Sequence, residues 1–101
     1  MSNLKNMRVV ITGASSGFGS VTAKLLVAQG CKVTLGARRE DRLEELVAEL
    51  GDSSTYEVTD VKKKDDLDKL VQKSIDTFNG VDAIINNAGI TGPTASLWEY
   101  D

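Results

Sequence analysis

Apolar and polar residues fall in blocks along this chain, each about the length of one strand or one helix. Arg8-Val9-Val10-Ile11-Thr12 follows a polar lead and does not alternate, which predicts a strand buried on both faces. A helix is expected from Gly17 to Gln29, with Val21, Leu25 and Ala28 on its inward stripe, Leu26 alongside, and Gly30 just past its end. Lys32 to Ala37 reads as a second strand. Arg39 to Leu50 reads as a second helix, with Leu43, Leu46, Val47 and Leu50 at helical spacing and Gly51 as its stop. Ser54 to Val58 is a weaker third strand. Asp65 to Phe78 is a third helix carrying Leu67, Leu70, Val71, Ile75 and Phe78 on one face, and Asp65 and Asp66 in its first turn suit the helix dipole. Asn79-Gly80 marks a turn, and Val81 to Asn86 a fourth strand.

The order βαβαβαβ favours parallel strands joined by right-handed crossovers. It predicts an α/β fold of the doubly wound, Rossmann type, with strand order 3-2-1-4. Residues 1–101 form one domain, with the sheet unit over 1–89 and a tail over 90–101. In the tail Gly92-Pro93 reads as a turn, and Ser96 is placed to cap a short helix running through Glu99. Trp98 is left open, packed on the sheet or exposed.

The first candidate chemistry lies between the first strand and the first helix. In Thr12-Gly13-Ala14-Ser15-Ser16-Gly17-Phe18-Gly19, Gly13 can take a tight turn. Gly17 lets the helix start approach a pyrophosphate, and Gly19 allows close helix–strand packing. The unpaired N–H groups of the first helical turn favour phosphate, and Ser15 and Ser16 add hydroxyl donors. The spacing is one residue longer than the usual dinucleotide fingerprint, so its weight comes from the strand before it and the helix after it. No Gly-Lys-Ser or Gly-Lys-Thr follows, which excludes a kinase-type phosphate loop.

After the second strand a dinucleotide site needs a group for the adenosine ribose. A carboxylate there would bind the 2′-hydroxyl and repel a 2′-phosphate. The chain instead has Ala37-Arg38-Arg39, with no acid until Glu40, and a guanidinium fork suits a phosphate. NADP(H) is therefore favoured over NAD(H). The alternative is that both arginines face solvent, but two cations at a helix start oppose its dipole, and that cost argues for a ligand role, Arg38 above all. Asp60, after the third strand, can accept a hydrogen bond from adenine or cap the following helix.

Composition narrows the setting. Hydrophobic residues make up 41% and charged residues 27%, and the net charge is −3. The densest basic run, Lys62-Lys63-Lys64, is flanked by Asp60, Asp65 and Asp66, so no nucleic-acid surface is indicated. The polar start shows no signal peptide, no run is long enough to span a membrane, and the lone Cys31 suits a reducing, cytoplasmic setting as a small buried residue. There is no histidine, hence no imidazole base or metal ligand, and no metal site is expected.

Taken together, the glycine segment Thr12 to Gly19, Asp60-Val61 and Asn86-Asn87-Ala88-Gly89, in order and in phase, resemble the N-terminal part of a short-chain dehydrogenase/reductase. The resemblance covers residues 6 to 101. It implies a cofactor contact set of Gly13, Ser15, Ser16, Gly17, Phe18, Gly19, Arg38, Arg39, Asp60 and Val61. Asn86, Ala88 and Gly89 would line the ribose and nicotinamide side, with Asn87 steadying the fourth strand. Ser16 departs from the basic residue many NADP(H)-preferring members carry there, and Lys62 from a threonine that often caps the third helix. The family's serine, its tyrosine followed four positions on by lysine, and its assisting asparagine have no counterpart: Tyr56 is followed by Asp60, and Tyr100 only by Asp101. The resemblance thus implies an oxidoreductase parent fold whose C-terminal half is missing here, and a chain that binds the nucleotide without turning it over. The alternatives are a stand-alone nucleotide-binding module or a self-associating, non-enzymatic one. On the same ground the fourth strand becomes an exposed apolar edge, its face and that of the first strand losing covering helices. Either association between copies of the chain through that edge or a marginal, dynamic monomer is expected.

Overall fold

A computed structural model describes residues 5–14, 17–86 and, as backbone, 96–99. The elements are β1 (Arg8–Thr12), α1 (Gly17–Ala28), β2 (Lys32–Ala37), α2 (Glu40–Leu50), β3 (Ser54–Val58), α3 (Lys64–Phe78), β4 (Ala83–Asn86) and β5 (Ser96–Glu99), with a single 3-10 turn over Gly51–Ser53. The sheet order is β3-β2-β1-β4-β5. The first four strands are parallel, in the order expected, and their register sets Thr12 opposite both Gly36 and Asn86, and Ala37 opposite Val58.

Alternation along the strands divides the core into two layers. Val9, Ile11, Val33, Leu35 and Ala37 pack with Ala23 of α1 and with Leu43 and Leu46 of α2. The opposite face of β1 and β2 meets α3, where Leu70 lies so close over Gly36 that a Cβ there would sit 2.5 Å from one Leu70 methyl. β1 is buried from Val9 to Thr12 on both faces, as its unbroken apolar run predicts. Between α3 and the sheet lies a cleft of about 290 Å³, lined by Val10 and Thr12 of β1, Ile84 of β4, and Leu67, Leu70 and Val71 of α3.

Three expectations are corrected. In α1 the inward residues are Gly19 and Ala23, with Leu26 and Val27 partly buried, while Val21 and Leu25 are 54% and 63% exposed. The small residues let the helix axis approach the sheet, and that close approach fixes the rotation of a helix that is apolar on several sides. In α3 the inward phase runs through Leu70 and Ser74, leaving Ile75 exposed, because the Ser74 hydroxyl donates to the Gly80 carbonyl at 2.8 Å. In the tail, Ser96–Glu99 is a strand antiparallel to β4, not a capped helix. Pairing with the open ladder of β4 satisfies backbone groups that four residues of isolated helix would leave unpaired. β4 is therefore not an edge, and the expected association through it is withdrawn.

The lower rim of the sheet is fastened by a feature that periodicity does not reveal. Arg8 donates from Nε and a terminal nitrogen to the two carboxylate oxygens of Asp82, both at 2.9 Å, and its backbone N–H donates to the same carboxylate at 2.8 Å. The Asp82 N–H in turn donates to the Arg8 carbonyl at 2.7 Å, and β4 proper begins at Ala83 rather than Val81. The fork holds the Asp82 carboxyl down at about 2. A carboxyl depressed in the folded state contributes stability above its unfolded value, near 3.9, and loses it as pH falls through the folded one. Asp82→Asn is expected to cost about 1 kcal/mol at neutral pH after discounting for solvent screening. In urea titrations across pH, the gap between parent and variant should close between about pH 4 and pH 2.

Candidate functional site

The C-terminal ends of the parallel strands bring the candidate residues to one rim. β1 leads into Gly13, whose φ of 69° puts it in the left-handed region that glycine takes without strain. The N–H of Ala14 donates to the Gly36 carbonyl at 3.2 Å, tying this turn to β2. A Cβ on Gly19 would collide with the Gly13 carbonyl oxygen and lie 2.9 Å from the Ala14 Cα. A Cβ on Gly17 would meet nothing within 4 Å. The two glycines thus answer different demands. Packing requires Gly19, whereas among the described residues no atom requires Gly17, and the space in front of it is open. Phe18 beside it is 70% exposed. Ser15 and Ser16 lie outside the described residues.

On the other side of β1, Thr12 donates its hydroxyl to the Asn86 side-chain carbonyl at 2.8 Å, which fixes the orientation of the Asn86 amide at the end of β4. Asn87, Ala88 and Gly89 lie outside the described residues, as does the Trp98 side chain. Asp60 is half-buried in the loop between β3 and α3. Its carboxylate accepts the Lys62 N–H at 3.0 Å, and its own N–H donates to Asp66 at 2.9 Å. The residue at the cap of α3 is Lys63, without a side-chain cap bond, so Asp60 shapes the preceding turn and does not cap the helix itself. Val61 is half-buried next to it.

The charges after β2 are sorted by short-range pairing. Arg38 is exposed, and its side chain makes no hydrogen bond or ion pair among the described residues. Arg39, at the start of α2, turns back over the first turn, and its Nε and terminal nitrogen donate to the two Asp41 oxygens at 3.3 and 3.2 Å. This holds the Asp41 carboxyl below its usual range. The Tyr56 hydroxyl shares its one proton between two carboxylates, Glu40, the first acid after β2, at 3.0 Å and Glu44 at 3.3 Å. Glu40 above all, with burial and the Glu44 charge, pushes Tyr56 up to about 12. Sequence spacing brings out neither pairing, because Tyr56 reaches Glu40 only once β3 lies beside β2. Among the described residues no group of three or more His, Cys, Asp or Glu could hold a metal ion.

A glycine turn from β1 into α1, in-register parallel strands and a free cation after β2 form the cradle of a dinucleotide-binding fold. The model for short chain dehydrogenase matches residues 7–100. The chain belongs to the short-chain dehydrogenase family. Family members are NAD(P)-dependent oxidoreductases, and the chain corresponds to their N-terminal, cofactor-binding portion. An uncharacterized oxidoreductase of Staphylococcus saprophyticus is 47% identical over 91 residues, spanning 89% of this chain and 37% of that protein. One from Listeria innocua is 45% identical over 101 residues, spanning 95% and 41%. Among solved structures, a 3-ketoacyl-(acyl-carrier-protein) reductase from Brucella melitensis, complexed with NADH, matches at a TM-score of 0.78 and 30% identity, over 90% of this chain and 41% of that one. The chain thus spans about two-fifths of the relatives it matches. No described helix is long and apolar enough to cross a membrane.

Proposed function

We propose that the chain is the NADP(H)-binding part of an oxidoreductase that moves hydride between nicotinamide and a carbonyl or alcohol, and that by itself it binds the dinucleotide without turning it over. The observation that carries this is the open space before Gly17, which no packing demand explains, at the start of a helix whose N–H groups face the same rim. The described residues fit the group. Gly13, Gly17 and Gly19 would hold the pyrophosphate turn, Arg38 the 2′-phosphate, and Asp60 and Val61 the adenine. Asn86 would lie toward the ribose and nicotinamide, with Ser15, Ser16, Asn87, Ala88 and Gly89 completing the set. Bound NADP(H) supplies or accepts hydride. Protonating a developing alkoxide needs an acid next to the substrate, and Tyr56 is followed four residues on by Asp60 rather than by the lysine that the family places after its tyrosine. The setting expected for such a chain is the cytoplasm.

Calorimetric titration with NADPH and with NADH tests this. NADPH should bind more tightly, and Arg38→Ala should lower NADPH affinity about tenfold, in line with a charge-assisted phosphate contact, while leaving NADH unchanged. No heat with either would overturn the proposal.

A second copy of the chain is the further partner favoured, and the surface that favours it is the stripe Phe18, Val21 and Leu25 on the outer face of α1. Sedimentation across a wide concentration range should show a rising mean mass, and an invariant monomer would remove this expectation.

A further inference from the structure

We propose that Asp41 limits the cofactor discrimination of this site by occupying one fork of Arg39 and offsetting its charge, so that of the two adjacent guanidinium groups only Arg38 offers all its donors to the ribose phosphate. The proposal rests on the NADP(H) reading above and adds a residue that lies outside the expected contact set. Asp41 engages Arg39 through Nε and a terminal nitrogen, one of the two edges by which a guanidinium grips a phosphate with two parallel bonds. A carboxylate and a phosphate cannot share that edge, so the two compete for it. Arg38, one residue away, has no such competitor among the described residues.

The competition is local and adjustable. Arg39 and Asp41 are 61% and 66% exposed at the side chain, so their pair is held in water and breaks at little cost. The neighbouring acid cannot replace Asp41, because Glu40 is directed to Tyr56 at 3.0 Å. Asp41 therefore behaves as an internal stand-in for the 2′-phosphate. Removing its charge would release a second fork at the rim where Arg38 already stands, raising affinity for a 2′-phosphate and leaving a 2′-hydroxyl nearly indifferent.

The test is a double-mutant cycle read by calorimetric binding of NADPH and NADH to the folded chain, with Asp41→Asn, Arg39→Ala and the combination, and Arg38→Ala beside them. Asp41→Asn should tighten NADPH about two- to fivefold, the upper range of one exposed ion pair, with NADH changed less than about 1.5-fold. Arg39→Ala alone should change NADPH little, and in its presence Asp41→Asn should have no further effect. Asp41→Ser, which keeps a small polar residue in the first helical turn, should repeat the Asp41→Asn result. If Asp41→Asn tightens NADPH equally when Arg39 is absent, simple loss of negative charge is responsible and the proposal falls. If Arg38→Ala lowers the NADPH preference while Asp41→Asn leaves it unchanged, the NADP(H) reading stands and the Asp41 proposal alone fails. If Arg38→Ala leaves the preference unchanged, or neither cofactor binds, both are overturned.

Discussion

Gly19→Ala is expected to lose about 3 kcal/mol of folding stability together with dinucleotide binding, whereas Gly17→Ala is expected to lose binding alone. A methyl on Gly19 points at the Gly13 carbonyl and the Ala14 Cα, and these are backbone atoms of the turn itself. No rotamer change relieves that clash. Either α1 lifts from β1, uncovering Ala14 and Ala23, or the turn re-forms and its N–H groups no longer converge. Among the described residues a methyl on Gly17 touches no atom, and alanine is the better helix former, so stability should hold or rise by up to about 1 kcal/mol. The same methyl would stand where a pyrophosphate approaches the helix, and NADPH affinity should fall about tenfold or more. Urea unfolding and calorimetric titration of the two variants separate the effects. Unchanged NADPH affinity in Gly17→Ala would mean that Gly17 is not at the phosphate.

The second large effect is expected under α3. Leu70 is 1% exposed and passes directly over Gly36. Leu70→Ala should cost about 2–5 kcal/mol, the range for a truncated core leucine that leaves a cavity. Gly36→Ala should cost about 1–3 kcal/mol, because the new Cβ would lie 2.5 and 3.0 Å from the two Leu70 methyls and 3.0 Å from the Thr59 hydroxyl. Combined, the two should cost clearly less than their sum, since the added methyl enters the space vacated by the leucine. A favourable coupling of about 1–2 kcal/mol is expected in the unfolding cycle. Strict additivity would show that the two residues are not in contact in the folded chain.

Much of the sheet could be read from the sequence because it rests on local patterns. The unbroken apolar runs of β1 and β2, the spacing of Leu43, Leu46, Val47 and Leu50 in α2, and the glycines after α1 and α2 each act within a few residues. What could not be read depends on distance in space. The rotation of α1 is set by how closely Gly19 and Ala23 let it approach the sheet, and a helix apolar on several sides carries no phase in its hydrophobicity. Ser96–Glu99 is too short for any period to separate helix from strand, and the free ladder of β4 decides it. At the site, the glycine turn and the free Arg38 were visible in the residue types. The diversion of Arg39 to Asp41 and of Glu40 to Tyr56 was not, because charge counting treats neighbouring ions as independent.

The Arg8–Asp82 clamp sits at the entry ends of β1 and β4, and the dinucleotide rim at their exits. Four or five strand residues separate them, roughly 15 Å, which is beyond the ~8 Å screening length at physiological ionic strength. Protection by a bound nucleotide, which grows with its concentration by mass action, and weakening by acid at the clamp should therefore sum as independent contributions to the folding equilibrium.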